Sequence, residues 1–333
     1  MGDIRSALAD ELNKFGPERI RDLLEAHGYR LSRRIRPAYF VGLPRLEGEH
    51  EHRGIILDVE TTGKVVGQSQ TIQLAMLEVF FTARGISRLG ESLCELNDPE
   101  AKIPEEAIAV HGLTNEKLKG HAFSGGRIRE FLDGTEVVIA HNASFDRKFV
   151  ERDLPNAGFD ELPWACSLRD INWAARGVNS PKLEYIALSQ GAYYGAHDAG
   201  EDVLATAFCL NGAPSDHGHT PFAEMLRNAQ RDTVRITVRG SRLVGGTSGK
   251  IKDRGYVWSG DDGLELGGRP KRWWRETPGD EASTQEEATW LRQNVTTDMD
   301  FDAYRVNARN RFSGRVGDEV SIKFSRMSAP NFS

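Results

Sequence analysis

The chain is poor in cysteine: Cys94, Cys166 and Cys209 are the only three in 333 residues, and none sits in a CxxC pair. That excludes a disulfide framework and a cysteine-based zinc site, so the three read as reduced packing residues. Apolar runs are short, none near the roughly 18 residues that span a bilayer. The first residues, MGDIRSALADELNK, have no basic-then-apolar leader, and the expectation is a cytoplasmic protein with no membrane partner. Gly2 to Ser6 matches a loose acylation pattern, which short chance matches outweigh. An excess of basic charge is also missing. The 43 Lys and Arg stand against 49 Asp and Glu, which excludes a uniformly basic coat but leaves room for local basic stripes. There is no G-x-x-x-x-G-K-[ST] phosphate loop and no internal repeat.

What is present is ordinary globular material, 39% hydrophobic and 28% charged, in a length suited to two domains. Pro17 to His27 has Ile20, Leu23, Leu24 and His27 on one face with Gly28 to close it, an amphipathic helix. Arg30, Arg33, Arg34 and Arg36 follow, read as a solvated charge run. Gly54 to Glu60 is an apolar run with a charged tip, a buried strand. Thr71 to Thr82 and Ile86 to Leu93 continue it as an antiparallel meander. Helical pieces span Pro104 to Leu132, broken at His111-Gly112 and at Ser124-Gly125-Gly126. A short strand, Glu136 to Ala140, leads into a helix from Ser144 to Asp153, an order that favours parallel pairing with the first strand. Further helices are expected over Leu168–Arg176, Lys182–Gln190 and Asp198–Leu210.

The Gly, Pro and Ser-rich stretch from Asn211 to Thr220 marks a domain boundary. Beyond it, residues 235 to 275 carry ten Lys and Arg among Tyr256, Trp258, Trp273 and Trp274, with few acids. Lys271, Arg272 and Trp274 are the candidate nucleic-acid contacts of that run, cations for phosphates and a ring for a base. Trp258 and Trp273 are as well suited to a core. Residues 276 to 302 then turn acidic around a helix from Ser283 to Asn294.

Three motifs carry chemistry. Asp58 and Glu60, two apart on one strand, leave the same face at its carboxyl end, and charges at the end of a buried strand need a partner such as a cation. Asp146 opens the helix after the parallel strand and comes close to that pair, unless it serves only the helix dipole. Asp202 lies in the first turns of a helix capped by Asp198, with Glu201 placed as in a capping box, and His197 sits just outside it on a mobile approach segment. A neutral imidazole there can take a proton from water near neutral pH.

The ordered set, D-x-E after an apolar strand, H-N-x-x-F-D after a second and H-x-x-x-x-D opening a late helix, resembles the DEDDh family of 3′-to-5′ exonucleases, above all the bacterial DNA polymerase III epsilon type. The resemblance covers about residues 54 to 210 and includes Ile103-Pro104 and Val110-His111-Gly112-Leu113-Thr114. The tail, with Arg254-Gly255-Tyr256-Val257-Trp258, Lys271-Arg272-Trp273-Trp274 and Arg311-Phe312-Ser313, is similar to that of some stand-alone epsilon-like exonucleases.

The resemblance implies an α/β fold: an RNase H-like mixed five-stranded sheet flanked by helices over residues 51–212, with a helical N-terminal extension (1–50), a small α+β C-terminal module (221–316) and a tail (317–333). It implies two divalent ions, Mg²⁺ or Mn²⁺, on Asp58, Glu60, Asp146 and Asp202, with His197 as general base and in-line cleavage. Glu60 and the Thr61 backbone would hold the terminal 3′-hydroxyl, and Thr62 and His111 would line the nucleotide pocket. This chain departs from many relatives in two places, Asp198 after the histidine in place of a basic residue and Gln73 in the second strand in place of an acid. No clamp- or polymerase-binding peptide is evident. The expected partner is DNA with single-stranded 3′ ends. The same chemistry on RNA is the nearest alternative, because the motif does not read the 2′-hydroxyl, and a catalytically idle nucleic-acid binder is the alternative of another class.

Overall fold

The structure is a computed structural model and describes residues 2–216, 218–239, 247–260, 271–295, 301–315 and 317–320. Helix α1, Gly2–Ala26, is broken at Gly16, whose φ of 74° and ψ of 156° are not helical, so a second helical stretch begins at Pro17. Gly28 (φ 81°) follows its end. The extension is helical only that far. A short strand β1 (Arg33–Arg34), a 3-10 turn at Pro37–Tyr39 and a strap to Glu51 complete it. The strap lies against the sheet edge so closely that a Cβ on Gly42 would stand 1.7 Å from the Ser87 carbonyl oxygen.

The core begins with β2 (His52–Thr61), β3 (Thr71–Thr82) and β4 (Gly85–Leu96), the expected antiparallel meander. Helices α2 (Glu105–His111), α3 (Asn115–Leu118) and α4 (Gly125–Leu132) follow, broken at Gly112 as expected and again over residues 119–124, so that Gly125 and Gly126 open α4 and do not interrupt it. Strand β5 (Val137–Ala140) pairs parallel with β2, and after α5 (Ala143–Asp153) strand β6 (Trp164–Cys166) pairs parallel with β5. The five strands run in the order β4-β3-β2-β5-β6.

Strand periodicity decides what each face holds. Ile55, Leu57 and Val59 pack with Ile128, Leu132, Phe149 and Val150 of α4 and α5. Ile56 points the other way, into a cluster shared with α6 (Leu183–Ser189), then β7 (Ala192–Tyr193), then α7 (Ala199–Leu210). Asp58 and Glu60 share the parity of Ile56, so they face α7, the helix that carries Asp202.

Three sequence expectations are corrected. Leu168–Arg176 is not a helix: turns lead to a 3-10 stretch at Ala174–Arg176. There the Asp170 carboxylate accepts the Cys166 N–H (2.8 Å) and the Trp173 indole donates to the Ser167 carbonyl (2.7 Å), side-chain bonds that compete with a helix. Helix α8 (Pro221–Ala229), assigned to the C-terminal module, packs on the core instead, through Phe222, Met225 and Ala229. Its apolar face completes the cluster over α7, and Phe222 meets Phe81 at 5.1 Å. Of the cysteines, Cys166 and Cys209 are buried as expected, but Cys94 is exposed, because it lies on edge strand β4.

A second sheet comprises β8 (Thr233–Arg239), β9 (Val257–Trp258), β10 (Arg272–Pro278) and β11 (Phe301–Val306), antiparallel in the order β11-β8-β10-β9. Helices α9 (Ser248–Asp253) and α10 (Glu281–Asn294) contribute Ile251 and Leu291 to its core. Residues 317–320 add to this sheet, with Val320 N–H on the Ala303 carbonyl, so the tail begins no earlier than residue 321 and lies outside the described residues. Arg242, Asp261, Asp262, Glu265 and Arg269 of the basic run, and Asp298 and Asp300 of the acidic one, also lie outside them.

After β11 the chain returns to the first domain. The Trp164 amide of edge strand β6 donates to the Ala308 carbonyl (2.7 Å). Arg147, with no exposed side-chain surface, pairs with Glu151 (2.6 Å) and donates to the carbonyls of Arg309 (2.7 Å) and Arg311 (2.9 Å). Arg311 in turn meets Asp170 at 2.9 Å.

Candidate active site

At the carboxyl end of β2 lies a cavity of about 1050 Å³ that Asp58, Glu60, Asp146, His197 and Asp202 all line. Oxygens of Asp58, Glu60 and Asp202 lie within 4.8 Å of one another. Asp146 stands outside that tight group but in the same cavity. Helix α5 packs on the opposite face of the sheet, yet β5 pairs with β2 only as far as Ile56, and past that point the first turn of α5 delivers Asp146 to the Val59 N–H (3.3 Å).

Burial sets the electrostatics. Desolvation first, then the charges of Asp146, Asp202 and Glu60, push the Asp58 carboxyl well above its usual range. Glu60 is pushed up to about 7, by burial first and then by Asp202 and Asp198. Burial likewise raises Asp146 and Asp202. Carboxylates so crowded require a cation or protons. The donors are all hard oxygens, a set that fits a divalent cation.

His197 is exposed at φ 66°, a left-handed conformation uncommon outside glycine, and its backbone N–H donates to Asp202 at 2.9 Å. Asp198 caps α7, accepting from Gly200 (3.0 Å) and Glu201 (3.2 Å) N–H groups. Glu201 does not close a capping box; it accepts the Gly195 N–H (2.5 Å) and the Arg34 guanidinium (2.7 Å), because β1 brings that arginine over the helix start. The Gln73 side-chain oxygen accepts the Ala199 N–H at 3.4 Å, so the amide does at the helix end what an acid would do. The Thr62 hydroxyl accepts the Gln70 N–H (3.0 Å) and the Thr61 hydroxyl donates to the Gly63 carbonyl (2.6 Å), which shapes the rim. His111 Nδ1 accepts the Leu113 N–H (3.0 Å), and its buried Nε2 faces the Thr61 backbone.

One cavity residue, Tyr194, escaped the sequence reading, and His141 entered it only as the first letter of H-N-x-x-F-D, with no role. The Tyr194 hydroxyl donates to Asp202 at 2.9 Å, which steadies that carboxylate. Its only signal was an aromatic three residues before His197. His141 is held by Ser167 (2.8 Å) and by the Pro181 carbonyl (2.9 Å), which requires Nε2 to carry the hydrogen, and burial lowers its pKa to about 4.

The C-terminal candidates separate. Lys271 is exposed. Trp274 is half-buried beneath the Arg235 guanidinium, 4.6 Å from its ring. Arg272 is not a surface contact: it is 8% exposed, because its side chain lies across the sheet face, donating to the Thr237 hydroxyl of β8 (3.2 Å) and ion-paired with Asp302 of β11. Trp258 is 40% exposed and rests on the half-buried Trp273.

A mixed sheet between helices, with carboxylates gathered from β2, α5 and α7, is the RNase H-like architecture of the DEDDh exonucleases. The exonuclease family model matches residues 55–209, and that part of the chain is an exonuclease domain of this type. Over 158 residues the chain is 29% identical to the DNA polymerase III subunit epsilon of Aquifex aeolicus, covering 46% of this chain and 76% of that protein. It is 24% identical over 210 residues to a DNA polymerase III subunit epsilon-like protein of Rhodobacter capsulatus, covering 61% of this chain but only 27% of that protein. The chain thus spans about a quarter of the length of that relative. Among solved structures, E. coli exonuclease I in complex with a dA16 oligonucleotide aligns over 57% of this chain and 49% of that one, at 15% identity and a TM-score of 0.40. No helix among the described residues is long and apolar enough to cross a membrane.

Proposed function

We propose that the chain is a metal-dependent 3′-to-5′ exonuclease that releases nucleoside monophosphates from single-stranded 3′ ends of DNA. The observation that carries this reading is the cluster of Asp58, Glu60 and Asp202 oxygens within 4.8 Å, in a cavity also lined by Asp146 and His197. Asp58, Glu60, Asp146 and Asp202 would hold two divalent ions, Mg²⁺ or Mn²⁺, which when bound acidify water and stabilise the leaving 3′-oxygen. His197, exposed at the mouth and tied to Asp202 through its N–H, accepts a proton from the attacking water. Thr61 and Thr62 line the same cavity and position the terminal nucleotide. His111 lines the cavity and offers that nucleotide its imidazole. With its thiols free, the protein would act in the cytoplasm, and nothing in this reading requires a polymerase or clamp.

The test is digestion of 3′-labelled DNA and RNA strands with Mg²⁺ or Mn²⁺, with EDTA as control. Stepwise loss of mononucleotides from DNA is expected, abolished in Asp58→Asn and slowed about 10²- to 10⁴-fold in His197→Ala. Preference for RNA would move the reading to an exoribonuclease, and no cleavage of either strand with either ion would leave only a nucleic-acid binder.

A further inference from the structure

The four arginines after α1 have a defined place. Strand β1 pairs parallel with β7, Arg33 with Ala192 and Arg34 with Tyr193, and β7 leads directly into the segment that carries His197. Arg34 bonds Glu201, the neighbour of Asp202. The basic arm is therefore fixed to the start of the helix that supplies a site carboxylate.

Beside it runs a groove of about 740 Å³, bounded by Arg21, Arg30, Arg33, Arg34 and Arg36 against only Glu18 and Glu25. Its floor is apolar, with Ile35, Phe40, Leu204 and Phe208. Leu204 and Phe208 belong to α7, so this one helix supplies the groove floor and, through Asp202, the catalytic cavity. Arg21 is paired with Asp22, and Arg34 with Glu201. Arg33 and Arg36 are exposed and make no ion pair or side-chain hydrogen bond among the described residues; Arg33 lies 5.5 Å from the ring of Tyr39. Tyr39, which lines the groove, is 46% accessible.

Unpaired guanidinium groups beside exposed aromatic rings are what a single strand requires, cations for its phosphates and flat faces for its bases. The contacts expected in the C-terminal module offer less of this, since Arg272 is buried against Asp302 and the Trp274 ring is half-buried. A chain with a formal net charge of −6 repels polyanions in general, which makes a local basic groove the place where one can settle. We propose that the groove between the N-terminal arm and α7 binds the single-stranded part of a nucleic-acid substrate, with Arg33 and Arg36 on its phosphates and Tyr39 beneath a base. The choice of partner rests on the exonuclease reading above.

The test separates binding from catalysis. Binding of fluorescein-labelled oligodeoxythymidylate of about thirty nucleotides is followed by anisotropy in EDTA, for the full chain and for R33E/R36E, with R33Q/R36Q as a milder variant. Cleavage of the p-nitrophenyl ester of thymidine 5′-monophosphate with Mn²⁺ reports the catalytic cavity alone. Expected are an affinity loss of about tenfold in R33E/R36E and a salt dependence shallower by roughly 1 to 2 in log–log slope. Ester cleavage should stay at the wild-type rate, and Tyr39→Ala should lose affinity with the salt slope unchanged. Equal affinity and slope in wild type and both double variants would overturn the proposal, as would tighter arginine-dependent binding to vesicles of anionic lipid than to the oligonucleotide. Arginine-dependent binding in a protein that cleaves neither strand nor ester would sink the exonuclease reading and leave the groove standing.

Discussion

Glu60→Gln should make the metal-free protein more stable while weakening its hold on divalent ions. The Glu60 carboxyl is displaced from 4.5 to about 7 by burial and by Asp202 and Asp198. Because the folded state prefers the protonated acid, stability is complete below the unfolded value and is lost as pH rises through the folded one. At about 1.4 kcal/mol per pH unit, the charge costs about 3 kcal/mol near pH 8 and about 1 kcal/mol near pH 5. Glutamine keeps the shape and removes the charge. Urea unfolding in EDTA should therefore show the variant about 3 kcal/mol more stable near pH 8, the gain shrinking to about 1 kcal/mol near pH 5. Added Mn²⁺ should restore much of the difference to the wild type and less to the variant, since binding to the native state alone stabilises it by mass action. A variant no more stable than wild type near pH 8, or a gain independent of pH, would refute the claim that crowded, desolvated charge governs this site.

Tyr194→Phe removes the hydroxyl that orients Asp202 (2.9 Å), and thermal-shift titration should show about tenfold weaker Mn²⁺ binding; an unchanged midpoint would deny the tyrosine that role. His141 is buried neutral, with a pKa of about 4, so the unfolded chain binds its proton first and stability falls as pH drops from about 6.5 to 4, by about 3 kcal/mol in all. His141→Gln should flatten that part of the pH–stability curve relative to wild type, and parallel curves would contradict it. Arg147→Met takes the donor from the Arg311 carbonyl and leaves Glu151 and the Arg309 carbonyl to Arg315 alone (3.2 and 3.1 Å), with an expected loss of about 3 kcal/mol and faster proteolytic nicking between residues 307 and 315. A loss under about 1 kcal/mol would mean that the returning segment is not anchored there.

Local chemistry carried a large part of this protein in plain view. The buried strand at Gly54–Glu60 was legible because an apolar run ended in two acids of the same parity, and parity alone put both on one face. Asp198 as a cap and the break after α2 at Gly112 were equally local, since they depend on φ, ψ and nearby N–H groups. The packing of α8 was not, because its apolar stripe fits either domain and only the core cluster around Phe81 and α7 decided which. Leu168–Arg176 failed as a helix because Asp170 found Cys166 and Arg311, the second of them 141 positions away along the sequence. Arg272 read as a surface cation and became a buried partner of Asp302 for the same reason: pairing of distant strands, not composition, settles which face a charge takes. The arginines after α1 looked like a solvated run until β1 found β7, a parallel pairing that no spacing along the chain can announce. The sequence by itself determined which groups could do chemistry and the local elements that carry them. Tertiary structure decided which of them meet, because burial and long-range pairing depend on where the rest of the chain goes.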